Sequence, residues 1–153
     1  MTNLSSDVIK ILQGKTLATA ESCTGGGIGA ALTAVAGSSA VYKGGIISYT
    51  NAVKEKLLGV SGEMLEQFGA VSAPVARAMA EGARNALQAD VAVSVTGLAG
   101  PGGDEYGNPV GTVFIGYADA AKSYAKEYRF SGDRESVRQQ AIQMALCAVL
   151  DNN

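Results

Sequence analysis

The residues best suited to chemistry lie together in one turn, which reads Glu21-Ser22-Cys23-Thr24-Gly25-Gly26-Gly27. A short apolar run over residues 16–20 predicts a strand before the turn, and an alanine-rich apolar run over residues 28–35 predicts a helix after it. Glycines let the main chain approach a ligand closely, and the free N–H groups at the start of a helix attract anions. The turn is therefore suited to hold a phosphate group or a developing oxyanion.

Ser22 lies at the edge of this turn and is the candidate nucleophile, with Thr24, Gly25 and Gly26 as candidate substrate contacts. Cys23 is an alternative nucleophile, because a thiol at the start of a helix can be activated without histidine. An interpretation without chemistry is that Ser22 or Thr24 only caps the following helix. The residues of the turn leave these alternatives open.

Lys54 is the candidate base, because the chain contains no histidine and therefore cannot form a Ser-His-Asp or Cys-His site by itself. With Asn51 as the predicted cap, Lys54 falls in the first turn of a helix, where the helix dipole disfavours a cation. The dipole contributes about 0.3–1 kcal/mol, whereas lowering a lysine pKa from ~10.4 to ~7–8 requires roughly 4 kcal/mol. Burial would have to supply most of that difference. A neutral Lys54 would then accept the proton of Ser22, and the alternative is a solvated surface lysine.

Two further predicted strands end at polar candidates. The strand over residues 41–49 ends at Tyr49, and a continuous apolar run over residues 91–95 predicts a strand buried on both faces that leads into Thr96. If these strands are parallel neighbours of the first one, their ends bring the nucleophile, the base, Tyr49 and Thr96 to one edge of the sheet. Tyr49 would pass a proton or a hydrogen bond among them, unless it is only a half-buried strand aromatic. Thr96 would donate its hydroxyl to the ligand, unless it only ends the strand.

The second glycine-rich segment, residues 97–109, contains five glycines and two prolines. This composition predicts a functional loop or a lid, with a long surface loop as the alternative, and Gly97 and Gly100 are its candidate substrate contacts. Arg134 and Arg138 lie four residues apart at the start of the predicted final helix, and hence on one helix face. They would hold a phosphate through several hydrogen bonds or pair with acidic residues of neighbouring helices.

Length and composition predict a single globular domain over residues 1–153, since 47% of the residues are hydrophobic and only 17% are charged. Helices and strands alternate along the chain and are followed by a hairpin. This order predicts an α/β fold, an α/β/α sandwich with a mixed, mainly parallel sheet and a C-terminal antiparallel hairpin.

Charge and cysteine content restrict the expected partners. A net charge of −2, a pI near 5.1 and the lack of a basic run argue against nucleic acid as a partner. The sequence has no apolar run of membrane-spanning length and no recognisable secretory leader, so we expect a cytoplasmic protein that does not bind a membrane. Two cysteines without zinc-site spacing predict free thiols, and we expect neither a metal nor a cofactor. Alanine-rich helix faces favour a homodimer.

A series of motifs, in this order and across nearly the whole chain, resembles the CinA C-terminal domain family. The matching segments are residues 20–26, 37–39, 49–51 with Lys54, 69–72, 96–103, 109–113 and 130–134. The family includes nicotinamide-nucleotide amidases, which convert nicotinamide mononucleotide to nicotinate mononucleotide and ammonia in pyridine-nucleotide salvage. Longer members carry an additional amino-terminal domain, so the resemblance implies a stand-alone form.

The resemblance also implies roles for individual residues. It makes Ser22 the nucleophile and Lys54 its partner, with Tyr49 beside them, and it places Thr96 and Arg134 in or around a pocket for a small nucleotide substrate. Such loops vary among relatives, so no contact is carried over for residues 104–108. Two other functions stay open, namely a catalytically silent nucleotide- or phosphate-binding module that partners competence or recombination proteins, and an amidase for a different small amide.

Overall fold

Residues 3–153 are described by a computed structural model, in which six α-helices and a short 3-10 helix surround a five-stranded sheet. In chain order the elements are α1 (Leu4–Ile11), β1 (Leu17–Glu21), α2 (Gly27–Thr33), the 3-10 helix (Ser38–Ala40), β2 (Tyr42–Ile47), α3 (Asn51–Leu58), α4 (Gly62–Phe68), α5 (Ala73–Leu87), β3 (Val91–Gly97), β4 (Thr112–Ala118), β5 (Ser123–Arg129) and α6 (Arg134–Asp151). None of the helices within this described range is both long and apolar enough to cross a membrane.

The strands lie side by side in the order β2-β1-β3-β4-β5. β1 pairs in parallel with β2 and with β3, whereas β4 is antiparallel to both β3 and β5. Four strands therefore run in one direction, and β4 runs in the other. The mixed sheet with a C-terminal antiparallel hairpin confirms the prediction. Because the neighbours of β1 on its two sides come from different parts of the chain, the carboxyl ends of β1, β2 and β3 form the crevice where such sheets bind ligands.

Each face of the sheet is covered by its own layer of helices, because successive strand residues point to opposite faces. Leu17 belongs to the hydrophobic core under α1, α2 and α6, whereas the next residue, Ala18, belongs to the core under α3, α4 and α5. Small residues on the second face let α5 approach the sheet, and a side chain at Gly116 would collide with the main chain of Ala76. The two layers confirm the predicted α/β/α sandwich.

Several element boundaries next to the pocket differ from the predicted ones. β1 is a central strand paired on both sides, and this pairing extends it to Glu21. β3 likewise continues to Gly97, whereas β2 already ends at Ile47. The residue that caps α3 is Thr50 rather than Asn51, because the main-chain oxygen of Thr50 accepts the first hydrogen bond of that helix. The candidate base still lies in the first turn of α3.

Candidate active site

A pocket of about 280 Å³ lies at the carboxyl ends of β1, β2 and β3. The lining includes many of the residues that were predicted for the site, namely Ser22, Tyr49, Lys54, Thr96, Gly97, Gly100 and Arg134. The order and direction of the strands thus confirm the predicted convergence on one edge of the sheet. Three predicted substrate contacts are not part of the lining: Thr24, Gly25 and Gly26.

Ser22 and Lys54 form a buried pair at the base of this pocket. The Lys54 Nζ atom lies 3.0 Å from Ser22 Oγ. Lys54 is only 1% exposed, and Ser22 is 8% exposed. Nζ also lies 2.7 Å from the main-chain oxygen of Ser48 and 3.5 Å from that of Tyr49. The amine is thereby held at three points, and one of these is the candidate nucleophile.

Burial lowers the pKa of Lys54 from 10.5 to about 8. Within residues 3–153 no carboxylate pairs with this amine, so burial outweighs the smaller opposing effect of Cys23 and disfavours the charged form. A neutral amine has two N–H groups and one lone pair. The carbonyl oxygens of Ser48 and Tyr49 accept the two N–H groups, which leaves the lone pair directed at the hydroxyl of Ser22. In this protonation state the pair is arranged for proton transfer from serine to lysine.

Main-chain hydrogen bonds position the two partners from different strands. The Ser22 N–H donates to Val95 O of β3 at 3.0 Å, which holds the candidate nucleophile in line with the sheet. The Ser48 N–H donates to Glu21 O at 2.7 Å and keeps the segment after β2 next to the end of β1. The carbonyl that orients Lys54 therefore belongs to a segment that is itself fixed to the nucleophile's strand.

Glu21 is a site-forming residue whose role the sequence did not reveal. Its buried carboxylate accepts hydrogen bonds from Thr24 Oγ1 (2.7 Å), Ile28 N (2.8 Å) and Gly29 N (3.0 Å). The start of α2, predicted to hold an anion from the substrate, is thus already occupied by an anion of the protein. A signal was available, since an acid at a strand end just before a glycine-rich helix start is well placed to bind the free amides of that helix.

The Thr24 side chain and the glycines Gly25 and Gly26, which were predicted as substrate contacts, contribute to the shape of the turn. Thr24 is fully buried, and its hydroxyl is committed to Glu21. Gly25 and Gly26 have φ angles of +58° and +102°, a conformation that side chains disfavour. The Gly25 N–H donates to Ser22 O at 3.0 Å and closes a tight turn immediately after the nucleophile.

Cys23, the alternative nucleophile, lines the same pocket but lacks an activating environment. Burial is the main reason why the pKa of its thiol is raised from 9.0 to about 11, against the smaller opposing effects of Arg138 and Lys54. A thiol with this pKa is protonated at neutral pH and is a poor nucleophile. The geometry therefore favours Ser22.

Arg134 and Tyr49 together form the rim of the pocket. Arg134 donates from Nη1 to Gly100 O at 2.6 Å and from Nη2 to the Tyr49 hydroxyl at 3.2 Å. The Tyr49 side chain is 60% exposed, and its main-chain oxygen rather than its hydroxyl is the group near Lys54. The phenol thus contacts Arg134 at the rim, and its hydroxyl is not hydrogen-bonded to Ser22 or Lys54 in the described residues, in contrast to the expected proton path. Neither Arg134 nor Arg138 forms an ion pair with any residue in the range 3–153, in contrast to the salt-bridge alternative.

Thr96 and the segment after it form the opposite wall. Thr96 Oγ1 donates to Ala70 O at 2.8 Å, so its hydroxyl can accept a hydrogen bond from a ligand while its proton is engaged. Gly97 packs against β4, where a side chain would lie 2.7 Å from Val113. The far part of the loop is attached to α4, since the Tyr106 hydroxyl donates to Glu66 O at 2.7 Å. The predicted functional loop therefore contributes a wall that hydrogen bonds hold in place.

Sequence and structure comparisons agree on the family of this chain. The model of the CinA C-terminal domain matches residues 1–152. The chain belongs to the CinA C-terminal domain family. It is 51% identical over 148 residues to a CinA-like protein of Parasynechococcus marenigrum, covering 94% of this chain and 35% of that protein. A CinA-like protein of Geobacter sulfurreducens is 53% identical over 126 residues, covering 82% of this chain and 30% of that protein.

Crystal structures of CinA proteins share the whole fold. The competence-damaged protein (CinA) superfamily protein of Escherichia coli superposes with a TM-score of 0.96 at 38% identity, covering 99% of this chain and 89% of that one. The competence/damage inducible protein CihA of Agrobacterium tumefaciens gives a TM-score of 0.93 at 41% identity, with 97% and 92% covered. The chain spans about a third of the length of the curated relatives it matches.

Proposed function

We propose that this chain is an amidohydrolase that converts nicotinamide mononucleotide and water to nicotinate mononucleotide and ammonia. The observation that carries the proposal is the buried hydrogen bond between Ser22 Oγ and Lys54 Nζ inside a pocket at the switch point of the sheet. Membership in the CinA family is consistent with amide hydrolysis, and the choice of substrate rests on the resemblance of the site motifs to nicotinamide-nucleotide amidases.

In the proposed reaction, neutral Lys54 accepts the hydroxyl proton of Ser22 while Oγ attacks the carboxamide carbon. The carbonyl oxygen becomes an oxyanion in a tetrahedral intermediate. The ammonium of Lys54 then gives its proton to the amide nitrogen, the C–N bond breaks, and ammonia leaves an ester on Ser22. Lys54 next takes a proton from water, whose oxygen attacks the ester carbon, and Ser22 leaves with that proton as the acid product forms.

The rim of the pocket provides a second requirement of this substrate, which is a partner for the nucleotide phosphate. Arg134 presents its guanidinium at the mouth of the pocket without a carboxylate partner among residues 3–153. A guanidinium binds phosphate through parallel hydrogen bonds. Tyr49, hydrogen-bonded to Arg134, supplies an exposed aromatic face beside it, on which a pyridine ring can stack.

The silent binding module is less well supported than the enzyme. A binding module would retain the glycine turns and Arg134 but would have no need for a deprotonated lysine. Burial that lowers the pKa of Lys54 to about 8, together with its hydrogen bond to a serine, is typical of a functional base.

The test is to incubate the purified chain with nicotinamide mononucleotide in the presence of a metal chelator, while following ammonia release and the mass of the product. We expect ammonia and nicotinate mononucleotide from the native chain and no turnover from Ser22→Ala, whose nucleotide binding stays close to native. Ser38→Ala is the matched control, because Ser38 is equally buried at 8% exposure and lies outside the pocket lining. Full activity of Ser22→Ala would exclude the serine mechanism. A folded native chain that releases ammonia only from other small amides would correct the substrate.

A further inference from the structure

Arg138 lies one helical turn after Arg134 and makes contacts that the proposed reaction does not yet use. Its Nε donates to Cys23 O at 3.0 Å, and its Nη2 donates to Thr24 O at 3.0 Å. In the described part of the chain, no carboxylate lies within the 4.0 Å that defines an ion pair with this guanidinium. The side chain thus places a positive charge without a carboxylate partner, and two N–H donors, against the turn that follows the proposed nucleophile.

Because the peptide bond is planar, holding the C=O group of a peptide unit also fixes the direction of its N–H group. In a trans peptide unit the C=O and N–H groups point in opposite directions. When Arg138 holds Cys23 O, it therefore also sets the direction of the Thr24 N–H, which belongs to the same peptide unit. The preceding unit is fixed in a similar way, because Ser22 O accepts a hydrogen bond from Gly25 N and this contact orients the Cys23 N–H.

Within residues 3–153, no other residue engages these two consecutive N–H groups. Over residues 3–153, neither Cys23 N nor Thr24 N donates a hydrogen bond to another residue. Consecutive free N–H groups in a turn form a concave anion site, and the residue after a serine nucleophile commonly supplies a donor to the oxyanion. The amides of Ile28 and Gly29, which also lie near the turn, are already bound by Glu21.

We propose that Arg138 is a positioning residue that aligns the N–H groups of Cys23 and Thr24 with the oxygen of the scissile carbonyl. This inference rests on the proposed hydrolase function, because it concerns the charge that develops on the carbonyl oxygen when Ser22 attacks. In the described residues the guanidinium donates to the carbonyls of Cys23 and Thr24, and its positive charge additionally favours an anion at the turn. Lysine retains the charge but not the planar fork that engages two carbonyls at once.

The experiment compares Arg138→Lys and Arg138→Gln with the native chain, and uses Arg129→Gln as the control for loss of an arginine. Arg129 is exposed, and within residues 3–153 its guanidinium is hydrogen-bonded only to Glu127 on its own strand. Removal of a whole oxyanion donor costs about 10²–10³-fold in kcat, so misalignment in Arg138→Gln is expected to cost about 10–100-fold. KM should stay within about threefold, and Arg138→Lys should recover part of the loss. Circular dichroism checks that each variant is folded, and Arg138→Lys alone decides if the glutamine variant does not fold.

A second readout separates this inference from the choice of substrate. A fluorophosphonate forms a bond from phosphorus to Ser22 Oγ and releases fluoride, and its P=O oxygen occupies the oxyanion site without any nucleotide recognition. We expect its rate of labelling at Ser22, followed by mass spectrometry, to fall in the Arg138 variants by the same factor as kcat. Labelling that falls in the variants of a chain with no amidase activity would support the positioning role and reject the proposed function.

The positioning role has clear contrary outcomes. Native kcat and native labelling in both Arg138 variants would overturn it while leaving the proposed hydrolysis intact. A raised KM with unchanged kcat would also overturn it, because that pattern shows ground-state binding rather than transition-state stabilisation. A native chain that neither hydrolyses an amide nor reacts with the phosphonate would count against both proposals.

Discussion

Glu21 and Lys54 are two buried ionisable side chains on opposite sides of Ser22, and their surroundings differ in kind. Glu21 ends β1 facing α2, and all three of its partners are donors that are suited to a carboxylate. Lys54 extends from α3 on the other face of the sheet, and its partners are two carbonyl oxygens and one hydroxyl. No carboxylate pairs with Lys54 in residues 3–153.

This difference separates a structural charge from a reactive one. The helix start and the Thr24 hydroxyl compensate the charge of Glu21, so the carboxylate holds the turn in shape. The Lys54 amine has hydrogen-bond acceptors but no counter-charge among residues 3–153, and burial lowers its pKa to about 8. A buried charge with a full set of matching partners builds the site, whereas one without a counter-charge can exchange its proton near neutral pH.

The largest effect is expected at Lys54. Lys54→Met should lower kcat by at least about 10³-fold, because general-base catalysis contributes about 10²–10⁴-fold and no other base contacts Ser22 in the described residues. The variant should stay folded, since methionine has a similar length and removes a buried amine. Steady-state ammonia release measures the loss, and Lys56→Met, which changes an exposed lysine of the same helix, serves as control. Substantial activity in Lys54→Met would end its assignment as the base.

At Glu21 the expected loss is in stability. Glu21→Ala leaves the N–H groups of Ile28 and Gly29 without an acceptor in a buried position, which should lower the free energy of unfolding by about 2–4 kcal/mol. Urea denaturation measures the change. Glu63→Ala is the control, because Glu63 is an exposed acid in the first turn of α4. An unchanged urea midpoint for Glu21→Ala would contradict its role as the structural charge.

The smallest effect is the pH dependence of the native chain. In the proposed mechanism Lys54 acts in its neutral form, and it is charged below its pKa of about 8, so kcat should rise with pH. Between pH 7 and pH 9 the neutral fraction increases about tenfold, with a midpoint near 8. The pKa of Cys23, raised to about 11, lies outside this interval. Rate measurements across the interval, with circular dichroism as a check of folding, would reject the assignment if the profile is flat.

Much of this site could be predicted because strand ends carry a local signal. The apolar runs before Ser22 and Thr96 predicted two buried strands. Because the chain has no histidine, Lys54 was the candidate base. Convergence followed from a general property of parallel sheets. Thr24, Gly25 and Gly26 lie outside the pocket lining, and their assignment as substrate contacts stays a prediction. Glycines in a turn signal an unusual backbone conformation and do not show whether a ligand or the protein itself fills the space.

The contacts of polar side chains were not predictable from spacing. Arg134 and Arg138 occupy one helix face, yet Arg134 reaches the rim of the pocket and Arg138 reaches the carbonyls of the nucleophile turn. Both contacts join residues more than 30 positions apart in the chain. Tyr49 likewise lies at a predicted position, but its hydroxyl faces Arg134 instead of the Ser22 and Lys54 pair.

By itself, the sequence determined the α/β class, the turn that carries Ser22 and the need for a base other than histidine, because hydrophobic periodicity, glycine placement and residue types are local properties. Only the tertiary structure decided that Lys54 is buried without a counter-charge, that Glu21 fills the start of α2 and that Arg138 holds the nucleophile turn. Desolvation and hydrogen-bond pairing depend on which distant segments pack together, and such packing is a property of the whole fold.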